Sequence, residues 1–199
     1  MKSLFFGVIF SLAVTSLFAQ VKNPYLVTEK SWGAITQSTG FEGLKKIYGT
    51  ANVKDDISSG AEGVDTIPVT VVYPESNKTF TIYWKDGNYH KAIAMIETFG
   101  EKNPYITSSS VKVGSPLQKL LQMNGKKIKF SGLGWDYGGI IQSYNGGKLE
   151  KSNISYNLDS KGDISQQLYG DRDLNTDMAI VKKNLTRLVV STIRLAFPD

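Results

Sequence analysis

The chain has no cysteine among its 199 residues, a single histidine (His90) and three tryptophans. The missing thiol excludes disulfides, Fe–S clusters, thiol catalysis and a lipid-modified cysteine, so the fold must rest on burial and backbone hydrogen bonding. One imidazole cannot supply the paired histidines of most catalytic zinc sites. Gly-x-Ser-x-Gly is absent too, and with it the nucleophile elbow of the α/β-hydrolases. Basic tracts are missing: Lys45-Lys46, Lys126-Lys127 and Lys182-Lys183 are pairs scattered through a chain of formal charge +5. A basic surface can attract anionic lipid or polysaccharide at long range, but with the charges scattered and no nucleic-acid recognition motif the expected reading is a solvated surface. No cofactor is expected.

Only one long apolar run exists, Leu4–Val14 in MKSLFFGVIFSLAVTSLFAQ. A positive charge at Lys2 precedes it and small or polar residues follow, which is the layout of a secretory signal peptide. Cleavage is expected after Ala19, with Ser16 as the alternative because Leu17 is bulky for its position. Residues 1–19 are therefore read as leader, and the product is expected in the periplasm or outside the cell. Loss of Lys2 leaves 22 basic against 18 acidic side chains. No second run is long enough for a transmembrane span. A hydrophobic content of 41% supports a packed core rather than disorder.

Two segments align without a gap, "ITQSTGFEGLKKIYG" (Ile35–Gly49) and "VKVGSPLQKLLQMNG" (Val111–Gly125). Thr39 and Ser115 stand as hydroxyl N-caps, with Glu42 and Gln118 three residues later to close capping boxes. Pro116 suits a first helical position. Phe41, Leu44 and Ile47 match Leu117, Leu120 and Met123 as apolar stripes, and Gly49 and Gly125 stop each helix. Strands are expected after each helix: Asn52–Ile57, Ile67–Tyr73, Thr79–Lys85 and Lys91–Phe99, then Lys127–Ser131, Gly138–Tyr144, Lys148–Leu158 and Val190–Phe197. The expected fold class is α+β, a tandem duplication of a short helix packed on an antiparallel β-sheet. Its units would span 20–106 and 107–199, with an insertion at about 159–185 containing a short helix capped by Thr176.

The stretch "GLGWDYGGIIQSYNGGKL" (Gly132–Leu149), together with the helices and Trp84-Lys85-Asp86, resembles a family of uncharacterised exported proteins of Gram-negative bacteria. Their motif reads Gly-Phe-Gly-Trp-Asp-Tyr-Gly-Gly followed by a Gly-Gly-Lys-Leu hairpin, and Leu133 replaces the phenylalanine here. At fold level the plan is similar to the beta-lactamase-inhibitor-protein-like fold, shared with a small outer-membrane assembly lipoprotein family. The resemblance implies a protein-binding module rather than an enzyme.

The glycines around Trp135 have the wrong spacing for a dinucleotide loop and lead into a strand. They suit a bend or bulge, with Trp135 covering the sheet or the helix above. The functional alternative has Trp135, Asp136 and Tyr137 project into a cleft shared with Trp84, as a recognition site for a protein partner or, alternatively, a glycan. A glycan-directed hydrolase would use Asp86 and Asp136 as its carboxylate pair. His90 is expected at the surface. Asn157–Leu168 fails as a calcium loop because Lys161 and Leu168 occupy ligand positions. Asp171, Asp173, Asn175 and Asp177 alternate suitably, but the loop glycine and closing glutamate are missing, so a solvated loop is the expected reading and no metal is assigned.

Overall fold

A computed structural model describes residues 23–59, 63 and 66–198. The expected leader, residues 1–19, lies outside the described residues. Twelve strands and three helices follow in the order β1 (Leu26–Thr28), β2 (Ser31–Trp32), α1 (Phe41–Tyr48), β3 (Val53–Ser59), β4 (Thr66–Val72), β5 (Phe80–Trp84), β6 (Ile93–Phe99), β7 (Ile106–Thr107), α2 (Leu117–Asn124), β8 (Lys129–Ser131), β9 (Ile141–Ser143), β10 (Ile154–Ser160), β11 (Asp173–Asn175), α3 (Ala179–Lys182) and β12 (Leu188–Ala196).

Period-two patterning builds the central sheet. In β5, Phe80, Ile82 and Trp84 are buried while Thr81 and Tyr83 are part-exposed, as their alternation in sequence requires. Six strands pair in the order β10-β12-β6-β5-β4-β3, each neighbour antiparallel. Two small sheets flank it: β2-β1-β7, in which β1 and β7 are parallel, and β11-β8-β9. The latter is stitched to β10 by the Ile140↔Asn157 bridge and by Leu158 N–H donating to Gly139 O at 2.8 Å.

This architecture overturns the expected α+β class and its helix-on-sheet unit used twice. The fold is mainly β: among the described residues three sheets carry twelve strands, and the α-helices have only eight, eight and four residues. Strands from both halves join one sheet, where β6 pairs with β12 from Met95↔Ala196 to Phe99↔Thr192. Leu44 of α1 and Leu117 and Leu120 of α2 sink into a single core with Phe80, Ile82, Ile96, Ile193 and Leu195. Burying each such leucine stabilises the fold by roughly 1.5–3 kcal/mol. The pattern in sequence marks each local element but carries no record of which edges meet. The expected boundary at 106/107 falls inside β7. The segment read as an insertion is built into the fold, because its β11 pairs with β8.

The helix starts also differ from expectation. Gly40 and Pro116 are the N-caps, and neither helix start has a side-chain cap. Thr39 Oγ1 instead accepts from Thr36 N–H and Ser115 Oγ from Lys112 N–H, both at 3.0 Å. Each hydroxyl thus closes the turn before its helix. Glu42 pairs with Lys45 at 3.0 Å rather than folding back. Ile47 leaves the buried stripe, 41% exposed. Thr176 caps no helix either: it is buried, its Oγ1 accepts from Ile128 N–H, and α3 starts three residues later.

Candidate functional site

Gly132–Gly139 joins β8 to β9 as a short finger with a locked base. Gly132 N–H donates to Arg172 O, Leu133 N–H to Leu168 O and Gly170 N–H to Leu133 O, each at 2.8 Å. The glycines are there for closeness of approach. A Cβ on Gly132 would meet Gly170 O at 2.4 Å, and one on Gly139, at φ +71°, would meet Leu158 O at 1.8 Å. No other residue type fits such gaps. Leu133 is buried.

The three residues at the tip fare differently. Trp135 is half-buried, and its indole N–H donates to Gly132 O at 2.9 Å, tying the ring to its own finger. Tyr137 is 41% exposed and lies edge-on to Trp135, with centroids 5.4 Å apart. Asp136 is exposed. Packing and presentation are therefore combined: Trp135 braces the finger and Tyr137 is held out on it.

Trp84 does not share this site. It is only 8% exposed, its Nε1–H donates to Thr70 Oγ1 at 3.0 Å, and it belongs to the core. In the sheet, β6 and β12 separate β5 from β10, on which the finger seats. At about 4.8 Å per strand that is roughly 14 Å across. Lengthwise the gap is greater. Trp84 lies opposite Ile93, Phe99 opposite Thr192, and Val190 opposite Leu158. Those registers place the finger's anchor about eight residues, or roughly 26 Å, along the sheet from Trp84. Asp86, in the exposed turn beyond Trp84, is correspondingly remote from Asp136. Glycoside hydrolysis needs carboxyls within about 9.5 Å. These two cannot act as a pair.

A second constellation was invisible in the sequence. His90, expected at the surface, occupies the β5–β6 turn with φ +65°. Its ring is stacked between Phe41 and Tyr89, each at 4.0 Å between centroids, with Trp84 edge-on at 5.4 Å. Its Nε2–H donates to Asp55 Oδ1 at 2.9 Å, which also accepts from Thr70 Oγ1–H at 2.9 Å. A relay therefore runs Trp84 to Thr70 to Asp55, with His90 arriving from the other side. Burial alone would raise the Asp55 carboxyl, but hydrogen bonds from His90, Thr70 and Tyr89 and the attraction of His90 outweigh it, leaving the pKa lowered. Phe41 N–H donates to His90 O at 3.0 Å, so one residue clips α1, the turn and β3 together. A carboxylate–imidazole pair could orient a base, yet both ring faces are covered and, among the described residues, no hydroxyl nucleophile bonds to the imidazole. The arrangement is a clasp. Its one advance signal was a carboxylate inside a strand, Asp55, and a lone imidazole in a turn, His90; 35 positions apart, nothing local joined them.

The alternating carboxylates of 171–177 do not gather either. Asp173 pairs with Lys129 at 2.8 Å and accepts from Gln142 at 2.9 Å. The Lys129 bond leads in holding its carboxyl below the usual range. Asn175 Oδ1 accepts from Asp177 N–H at 2.9 Å, an Asx turn. Among the described residues no three His, Cys, Asp or Glu side chains converge as a metal site. None of the described helices is long and apolar enough to cross a membrane.

No family model and no curated protein matches the chain. Among solved structures, the crystal structure of the uncharacterized protein yfeY from Escherichia coli is similar over 86% of this chain and 99% of that one, with a TM-score of 0.52 and 17% sequence identity. At that identity the likeness is one of fold alone: this chain shares its architecture with an uncharacterised bacterial protein.

Proposed function

We propose that the protein is an exported, non-catalytic binding module of the bacterial envelope that engages a protein partner through the Gly132–Gly139 finger and the part-exposed face of the central sheet. The observation that carries this reading is Tyr137, an exposed aromatic on a finger whose base is fixed by backbone bonds and whose neighbour Trp135 is tethered at 2.9 Å. Rigid aromatics bind at low entropic cost and dominate recognition surfaces. Export is argued from the charged, then apolar, then small-residue layout of the first twenty positions. The Gly-x-Gly-Trp-Asp-Tyr-Gly-Gly family and the protein-binding habit of the inhibitor-protein fold enter as analogy, which gives no function by itself.

The test is affinity capture from an envelope extract with the full chain as bait. Trp135→Ala and Tyr137→Ala are expected to lose a partner that the unaltered chain retains. Equal recovery by both variants removes the finger from the proposal, and the absence of any specific partner removes the proposal.

A further inference from the structure

β12 is longer than its neighbour, and the mismatch leaves a cavity. β6 ends at Phe99, opposite Thr192, whereas β12 continues back to Leu188. Past Phe99 the chain turns away at Gly100, and the place beside β12 is taken by another segment: Gly114 N–H donates to Val190 O and Val190 N–H to Ser115 O, both at 2.8 Å. Between the end of β6 and that segment a space of about 570 Å³ remains. At the same level β12 carries a bulge, since Asn157 faces Thr192 and Leu158 faces Val190, leaving Ser191 unpaired. Bulges re-aim side chains and recur beside binding sites.

The walls have a particular chemistry. Phe99 is 55% exposed at the rim, and Glu101, Asp159, Lys161, Ser191 and Thr192 line the space with it. Among the described residues, the side chains of Glu101, Lys161, Ser191 and Thr192 bond to nothing else in the protein, and Asp159 only accepts from Ser160 N–H at 2.7 Å. We propose that this cavity binds a saccharide ring, neutral or amino-substituted. A purely apolar ligand would desolvate unpaired carboxylate and ammonium groups without compensation. An acidic ligand would face two carboxylates against one ammonium, although the whole chain is basic. A pyranose brings several hydroxyls to the free donors and acceptors and an apolar face to the phenyl ring. Phe99 serves as the platform, the Ser191 and Thr192 hydroxyls as hydrogen-bonding partners, and Glu101 with Asp159 selects for an amine. The volume falls within the range of small-ligand sites.

The cavity opens beside β10, on which the finger seats, but no residue of the finger lines it, so the titration and the affinity capture probe different side chains and either can fail alone. Calorimetric titration of the full chain would use maltotriose and N-acetylglucosamine trimer (neutral), glucosamine trimer (cationic) and galacturonate trimer (acidic). The neutral or cationic trimers are expected to bind, the acidic one at least about tenfold more weakly, with backbone amide shifts centred on Gly114 and Ser191. Phe99→Ala is expected to weaken binding about fivefold, the worth of a typical ring contact, without altering the melting temperature. Thr192→Val, on the strand opposite the platform, removes a hydroxyl while keeping the side chain's shape; it should show a comparable loss and stands in if the first variant unfolds. Glu101→Gln should weaken the cationic trimer alone. Binding of no trimer, acidic binding as strong as the others, or affinity indifferent to both Phe99→Ala and Thr192→Val overturns the proposal.

Discussion

Gly139→Ala and Gly125→Ala impose nearly the same torsional demand with very different surroundings, and the contrast measures what holds the finger. Both glycines are left-handed, at φ +71° and +73°. An alanine in that region costs about 1 kcal/mol. At Gly125, which ends α2, a Cβ would meet nothing within 4 Å, so the torsion is the whole cost. At Gly139 the same Cβ would lie 1.8 Å from Leu158 O, and the backbone must retreat. Retreat breaks the 2.8 Å bond from Leu158 N–H to Gly139 O and strains the Ile140↔Asn157 bridge that joins the small sheet to β10. Two such losses at about 1 kcal/mol or more each bring the total to roughly 3–4 kcal/mol. For a chain of this size 1 kcal/mol moves Tm by about 2–4 °C. Thermal unfolding followed by far-UV circular dichroism should therefore show a fall of about 2–4 °C for Gly125→Ala and about 6–16 °C for Gly139→Ala. Equal falls would refute the claim that close approach, rather than torsion, requires glycine in the finger.

Two further outcomes are expected. Because the Asp55 pKa is lowered in the fold, its ionised form contributes stability at neutral pH that is lost as the pH falls below about 3.9, the unfolded value, and through the folded one. Urea midpoints should separate Asp55→Asn from the unaltered chain at pH 7, by no more than about 1 kcal/mol for so solvent-screened a pair. That gap should narrow as the pH is taken below about 3.9, and an unchanged gap contradicts the assignment. Since β6–β12 pairing and one core unite both halves, unfolding should be a single cooperative transition. Tryptophan fluorescence, reporting on Trp32, Trp84 and Trp135, should coincide with circular dichroism; two resolved transitions would show that the halves fold apart.

The strands were the most legible part of the chain. All eight expected ones appear, because Phe80, Ile82 and Trp84 in β5, or Ile154, Tyr156 and Leu158 in β10, write their face into every second position. β10 still begins six residues later than expected, since Lys148–Asn153 closes turns such as Glu150 N–H to Gly147 O. The helices were legible in place but not at their starts. Thr39 and Ser115 had the chemistry of caps, and the turns before the helices claimed the hydroxyls first. In the candidate site, the glycine spacing marked the finger, but no local pattern distinguished a tyrosine held out, as Tyr137 is, from a tryptophan drawn in, as Trp84 is. Parity assigned Trp84 to the same face as Phe80 and Ile82; what covers that face was not written beside it.

Composition and local order by themselves determined that thiol and two-histidine chemistry are absent, that short helices end at Gly49 and Gly125, and that alternating segments become strands. Those properties depend on residue type and on backbone preferences within a few positions. Only the tertiary structure decided that β12 lies against β6, that His90 meets Asp55, and that a gap opens past Phe99. Each of these depends on which strand edges pair and how far they overlap. That choice is settled by burying the whole core at once, through contacts between residues far apart in the chain.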